Sequence, residues 1–212
     1  MSILNNIKVA FFDIDGTIHL GDSLWEAIHK KNSTWETLGI EYLQQYLDKK
    51  ITFEEFAILD VKAWAGAPAK IMEDAINEFS LHKEVEKIFE KMITKNTKIF
   101  LISSGISQLA EALVKKYYLT GYYANDVIIR NGFITGEILI NVGYEDKGII
   151  VKKILEQENI PRTSALAIGD SYNDLLMFKE VDYPILLNNK NKLADYDSFH
   201  ALNWNEVLKY LF

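Results

Sequence analysis

The chain has 212 residues, 49% apolar and 25% charged, the balance of an ordinary globular protein and enough for one large domain or a domain with an insert. No apolar stretch approaches the ~20 residues that cross a bilayer, and the absence of Cys excludes disulfides, thiolate metal sites and thiol nucleophiles. A net charge of −7 argues against nucleic acid as the main partner, because a phosphate backbone demands basic patches.

The opening Met1-Ser2-Ile3-Leu4-Asn5-Asn6 lacks the basic start and long apolar core of a signal peptide, so a cytoplasmic protein without membrane partners is expected. The run Val9-Ala10-Phe11-Phe12 is apolar at every position, which suits a strand buried on both faces of a parallel sheet. It ends in Asp13-Ile14-Asp15-Gly16-Thr17. Functional groups of such sheets sit just beyond the carboxyl ends of the strands, where Asp13 and Asp15 fall. Two acids this close repel unless a cation or a shared proton relieves them. Taken alone, the same pattern is as readily a strand-ending turn with Asx-type hydrogen bonds.

From about Asp22 to Ser80 the periodicity is helical. Asp22 or Ser23 caps a helix carrying Leu24, Trp25 and Ile28, and a second helix runs from Trp35 to Leu47. Thr52-Phe53-Glu54-Glu55 has capping-box spacing and opens a third, which breaks at Gly66-Ala67-Pro68. Pro68 opens a fourth with Ile71, Met72, Ala75, Ile76 and Phe79. Four short helices in a row predict a small bundle inserted after the first strand.

The alternating βα pattern resumes at about His82. Lys98 to Ser103 reads as a second buried strand ending in Ser103-Ser104-Gly105, ahead of a helix over Leu109–Lys116. That is a plain Ser cap or an anion site built on free N–H groups. Asn131-Gly132 between β-prone residues predicts a hairpin. Asp146-Lys147-Gly148 opens another helix, where a Lys is the wrong charge for the helix dipole. Ala165-Leu166-Ala167-Ile168 is a third buried strand, followed by Gly169-Asp170-Ser171-Tyr172-Asn173-Asp174. Tyr183–Leu187 and Phe199–Leu202 read as short strands, and Trp204–Phe212 as the last helix.

Three βα units thus bring Asp13, Asp15, Ser103, Asp170 and Asp174 to one sheet edge, within reach of Lys147. Clustered carboxylates call for a hard cation, most simply Mg²⁺. A Ser, free amides and a Lys suit phosphoryl oxygens. A carboxylate facing such a group can attack it, and a second can handle protons.

These residues resemble the haloacid dehalogenase (HAD) superfamily, in its phosphoserine-phosphatase-like branch. The family's four motifs match Asp13-Ile14-Asp15-Gly16-Thr17, Ser103, Lys147 and Gly169-Asp170-Ser171-Tyr172-Asn173-Asp174, in order. The resemblance implies an α/β fold, a Rossmann-like parallel sheet between helices. It places the core in residues 1–19 and 82–212, with residues 20–81 inserted as a small helical cap of the C1 type. It further implies a Mg²⁺-dependent phosphatase acting on a small phosphorylated metabolite, as a monomer or homodimer. Asp13 would be the nucleophile and Asp15 the general acid and base. Asp13, the carbonyl of Asp15, and Asp170 would hold the metal, and Asp174 would support the metal shell or Lys147. Ser103 and Lys147 would bind phosphoryl oxygens, and Asn173 would reach the substrate.

A phosphotransferase or mutase shares this core, and a receiver-like signalling domain is the rival from another class. Receivers, however, are shorter, lack a helical insert and carry no Asp two residues after the phosphorylated one. The chain departs from its branch in one respect. Phosphoserine phosphatases usually hold the substrate carboxylate with a cap Arg and its ammonium with an acid shortly after the first motif. Asp22 or Glu26 supplies the acid, but Arg130 and Arg162 are the only arginines. Asp60 falls near the position of the missing Arg, as a solvent-facing helical residue or as an acid that repels a carboxylate. Lys62 could stand in for the Arg, as a point charge without its fork. Trp25, Trp35 and Trp64 line a pocket or fill the bundle core.

Overall fold

The computed structural model describes residues 3–19, 21–187, 199–201 and 203–212. Leu20, the expected first residue of the insert, and Leu202, in the expected last strand, lie outside the described residues. The strands are β1 (Val9–Phe12), β2 (Lys98–Ile106), β3 (Gly121–Arg130), β4 (Phe133–Leu139), β5 (Ala165–Gly169), β6 (Tyr183–Leu187) and β7 (Phe199–Ala201). They form one sheet in the order β4-β3-β2-β1-β5-β6-β7, parallel except for β4. Phe12 pairs with Leu101 and Ile168, so the ends of β1, β2 and β5 meet at one edge.

Helices α1 (Leu24–Lys31), α2 (Ile40–Leu47), α3 (Phe53–Ala63) and α4 (Lys70–Glu78) lie between β1 and β2. The others are α5 (Lys83–Thr94), α6 (Ser107–Tyr117), α7 (Asp146–Glu158), α8 (Asp174–Phe178) and α9 (Trp204–Leu211). Successive side chains of a strand point to opposite faces, and β1 divides its residues accordingly. Ala10 and Phe12 join a core with α5, α6 and α9, whereas Val9 and Phe11 join a second core with α7 and α8. Phe12 meets Phe89 edge-on at 5.1 Å and stacks on Trp204 at 6.4 Å. The first core continues into the insert through Trp25, Phe56 and Trp64.

Three boundaries differ from those expected. β2 runs past the expected end at Ser103 to Ile106, and α6 begins at Ser107, two residues ahead of the expected Leu109. A register shift against β3 makes this possible, and Ser103 Oγ accepts the Gly105 N–H at 2.8 Å. The second insert helix opens with a π-helical turn over Trp35–Gly39. The fourth starts at Lys70, because the preceding segment pairs with the hairpin instead. Gly66 N–H bonds Ile134 O and Ala69 N–H bonds Gly132 O, both at 2.8 Å, and Ile134 N–H bonds Ala67 O at 2.9 Å.

Asp60 is the larger correction. It does not face solvent but is 1% exposed inside the insert, with Oδ1 3.0 Å from His29 Nε2. Thr34 Oγ1 lies 2.8 Å from His29 Nδ1, and the Trp64 ring meets the imidazole edge-on at 5.1 Å. Burial pushes the Asp60 carboxyl up, with His29 opposing. An imidazole that sequence alone gave no reason to pair explains why an Asp is tolerated on the inner face of α3.

Phe89 is 1% exposed. Phe89→Ala is expected to cost about 3–5 kcal/mol, read as a lower denaturant midpoint with an unchanged slope. A loss below about 1 kcal/mol would mean that α5 does not anchor β1 as described.

Candidate active site

Beyond Phe12 the backbone stays attached to the sheet, since Asp13 N–H bonds Ile168 O at 3.0 Å. It then turns through Gly16 at φ +78°, where a Cβ would stand 2.6 Å from Asp170 Oδ2. Only glycine satisfies both demands. The turn delivers Thr17 Oγ1 to Asp13 Oδ2 at 3.0 Å and to Asp170 Oδ1 at 2.9 Å. A hydroxyl carries one proton and cannot donate to both carboxylates at once. A proton or a cation must therefore reconcile the two acids.

Lys147 reaches the same acids from the first turn of α7. Its Nζ is 2.6 Å from Asp13 Oδ1 and 2.6 Å from Asp174 Oδ1, and the residue is fully buried. Burial alone would lower its pKa, but Asp13 and Asp174 outweigh it and hold the ammonium above its ordinary range. Asp174 Oδ2 accepts the Asp170 and Ser171 N–H groups at 3.0 Å each and the Ser171 hydroxyl at 2.8 Å. Asp174 thus orients both Lys147 and the loop carrying Asp170.

Asp15 is placed differently. Its Oδ1 is buried with no hydrogen-bond partner among the described residues, and burial raises its pKa, partly offset by the Leu24 N–H. A Cβ on Gly105 would lie 2.8 Å from Asp15 Oδ2 and 2.9 Å from Ser103 Oγ. The bare glycine lets carboxyl and hydroxyl converge on one cavity. That cavity, of about 170 Å³, is lined by Asp13, Asp15, Ser103 and Asn173 from the core. Trp25, Tyr46, Phe53 and Phe56 close it from the insert, and Tyr144 from the loop before α7. Lys147 does not line it but sits behind Asp13.

Two expected residues are placed otherwise. Asp22 does not line the cavity; it is half-exposed and pairs with Lys30 at 2.6 Å. Glu26 pairs with the same Lys30 at 2.8 Å. Ser23 caps α1 and, with Trp25, takes the cavity wall, which leaves Asp22 outside the first turn. Trp64 is fully buried in the core, so of the tryptophans proposed for a pocket Trp25 alone reaches this one.

Thr17 was read from sequence only as a member of the first motif, without a role, and Asn125 was not singled out. Asn125 is fully buried and makes four hydrogen bonds: Nδ2 to Ser104 O and Val142 O, and Oδ1 from the Asn141 and Val142 N–H groups. It ties the Ser103 segment to the loop that leads to Lys147. Its signal was an Asn inside a strand, a position that β-propensity disfavours.

The acids fit a divalent cation. Asp13, Asp170 and Asp174 each offer an oxygen within 4.8 Å of the others. Burial pushes Asp13 up to about 8 against the pull of Lys147, and with Asp174 it lifts Asp170 to about 6. A bound cation would relieve that desolvation, and an all-oxygen donor set suits a hard ion.

A parallel α/β sheet that gathers a carboxylate pair, a buried Lys and a Ser at its carboxyl edge defines a class of hydrolase. The chain belongs to the haloacid dehalogenase-like hydrolase family, whose model matches residues 10–179, and falls in its phosphoserine-phosphatase-like branch. It is 25% identical over 207 residues to a phosphoserine phosphatase of Methanocaldococcus jannaschii, covering 96% of this chain and 97% of that one. A phosphoserine phosphatase of Archaeoglobus fulgidus is 24% identical over 189 residues, and the match covers 89% of this chain but 54% of that relative. A solved phospho-aspartyl intermediate analogue of phosphoserine phosphatase superposes with a TM-score of 0.83 at 23% identity, over 97% of this chain and 99% of that one.

Because burial and Asp174 lift the Asp170 carboxyl to about 6, cation binding must displace its proton at lower pH. Calorimetric Mg²⁺ affinity is expected to fall by about four-fold or more from pH 7.5 to 5.5, with proton release on binding. Affinity independent of pH would contradict the assignment of Asp170.

Proposed function

We propose that the protein is a Mg²⁺-dependent phosphatase that hydrolyses a small phosphomonoester through an aspartyl phosphate on Asp13. One observation carries this reading: Asp13 is backed by Lys147 at 2.6 Å, while the unpartnered Oδ1 of Asp15 is buried beside the same cavity. Lys147 opposes the burial that lifts the Asp13 carboxyl, a pull that a bound cation would add to, whereas Asp15 lacks such a contact and is kept protonatable by burial. That division suits a nucleophile and a general acid.

Asp13, Asp170 and the backbone carbonyl of Asp15 would hold the cation, with Asp174 behind them. When bound, the cation offsets negative charge on Asp13 and on the phosphoryl oxygens. An Asp13 oxygen attacks phosphorus, and the ester P–O bond breaks as Asp15 gives its proton to the leaving alcohol. Asp15, now a carboxylate, takes a proton from water, which attacks phosphorus and releases Asp13 and phosphate. Ser103, whose Oγ is fixed by the Gly105 N–H, offers its own proton to a phosphoryl oxygen.

Residues 20–81 would act as the cap that excludes water during transfer. Their two connections to the core meet where His19 Nδ1 lies 2.6 Å from Ser80 O and the His19 ring stacks on Phe79 at 3.8 Å. Opening there must also break the three backbone bonds between residues 66–69 and the hairpin.

The test is p-nitrophenyl phosphate hydrolysis with Mg²⁺ and with EDTA. Asp13→Asn is expected to lower kcat by about 10³-fold or more. Asp15→Asn, with this good leaving group, should keep a stoichiometric burst of nitrophenol but slow later turnover by about 10²-fold or more. Near wild-type turnover in Asp13→Asn, or no burst in Asp15→Asn, would contradict the assigned roles.

A further inference from the structure

We infer that the alcohol part of the substrate carries a positively charged nitrogen and no carboxylate, and that Tyr46, Phe53, Tyr144 and Glu54 hold it just outside the reaction cavity. The inference rests on the phosphatase reading above and names its substrate class: phosphomonoesters of amino alcohols.

The reaction cavity, at about 170 Å³, has room for a phosphoryl group and a short linker. A second cavity of about 720 Å³ adjoins it, and the two share Tyr46, Phe53 and Tyr144. The shared rings border both cavities, and the inference places between them whatever is esterified to the phosphoryl group. Phe53 and Tyr46 meet edge-on at 6.2 Å on the insert side, and Tyr144 stands on the core side, 42% exposed. Aromatic faces attract an ammonium through the negative face of the ring, although they also accept a neutral apolar group. Charge decides between the two.

Beyond the rings the second cavity is lined by Glu54, Glu145 and Asp146, against Lys49 as the only base among the described residues. Glu54 reaches from α3 across to the core, where a Cβ on Gly143 would lie 2.7 Å from its Oε1 and 3.0 Å from Asp146 Oδ2. Asp146 is engaged by the Gly143 N–H at 2.7 Å. Glu54 has no ion-pair partner among the described residues. An uncompensated carboxylate beside three rings, at the exit of the reaction cavity, is the chemistry that recognises an ammonium.

Among the described residues, a substrate carboxylate finds no forked cationic counterpart at either cavity. The ionisable acids and bases of the described residues that line the reaction cavity are Asp13 and Asp15, besides the tyrosines. Arg130 is paired with Glu137 at 3.0 Å and Arg162 with Asp182 at 2.6 Å, both away from the two cavities. Asp60, near the position where the branch carries its Arg, is turned inward onto His29. Lys49, on the exposed turn after α2, is a point charge without a fork.

The test compares kcat/KM for phosphoethanolamine with n-propyl phosphate, and for phosphocholine with 3,3-dimethylbutyl phosphate, each ammonium against its neutral isostere. Phosphoserine is measured beside them, with p-nitrophenyl phosphate as the general reporter of phosphatase activity. At least one ammonium ester is expected to exceed its isostere by about ten-fold, and phosphoethanolamine to exceed phosphoserine. Glu54→Gln should cut the ammonium-to-isostere ratio by about three-fold or more, mainly through KM. Equal rates for both isostere pairs, a preference for phosphoserine, or an unchanged ratio in Glu54→Gln would overturn the inference while leaving the phosphatase reading intact. Failure to hydrolyse p-nitrophenyl phosphate would overturn the phosphatase reading, and the inference with it.

Discussion

The ammonium of Lys147, fully buried between Asp13 and Asp174, is the contact on which the site depends. A charge this deep is costly unless it is paired and hydrogen-bonded, and here both partners stand at 2.6 Å. Its position explains the division of labour among the acids. Asp174 is occupied by Lys147 and by the Asp170–Ser171 backbone, so it holds the framework. Asp13 shares Lys147 on one side and faces the cavity on the other. Asp15 has no share of it, and its carboxyl is governed by burial. One ammonium cannot balance Asp13, Asp15, Asp170 and Asp174. Burial, with the neighbouring carboxylates adding to it, lifts the first and third of these, and a divalent cation would offset both.

The rest of the fold brings these groups to one point and then shuts it. The pairings of β1 with β2 and β5 align three strand ends, and Asn125 ties the Ser103 segment to the loop before Lys147. The insert supplies an aromatic wall from Trp25, Tyr46, Phe53 and Phe56. Its own polar interior, His29 with Asp60 and Thr34, does not line that cavity. Core and insert therefore contribute different things: the core supplies charges for phosphoryl transfer, and the insert supplies the surface that meets the leaving group.

Much of this was legible in the residues. Unalternating apolar runs ahead of Asp13, Ser103 and Asp170 read correctly as strands buried on both faces, because period and burial follow from local pattern. Asn131-Gly132 gave the hairpin, and Thr52 with Glu55 gave a capping box seen in both directions. Long-range choices were hidden. Nothing near Asp60 announces that its partner is His29, thirty-one positions earlier, and nothing near Asp22 shows that Lys30 claims it. The strand that continues beyond Ser103 depends on a register shift against β3, and the late start of α4 depends on pairing with the hairpin. Such features belong to tertiary contacts, which local pattern does not encode.

The central claim is that Asp13 carries the phosphoryl group, and chemical trapping tests it most directly. Wild-type enzyme would be mixed with Mg²⁺ and p-nitrophenyl phosphate, quenched with acid and reduced with borohydride, which converts an aspartyl phosphate to homoserine. Peptide mass spectrometry should then find the mass change at Asp13 and nowhere else. Substrate turnover with reduction located at Asp15 or Asp170, or at no residue, would contradict the account.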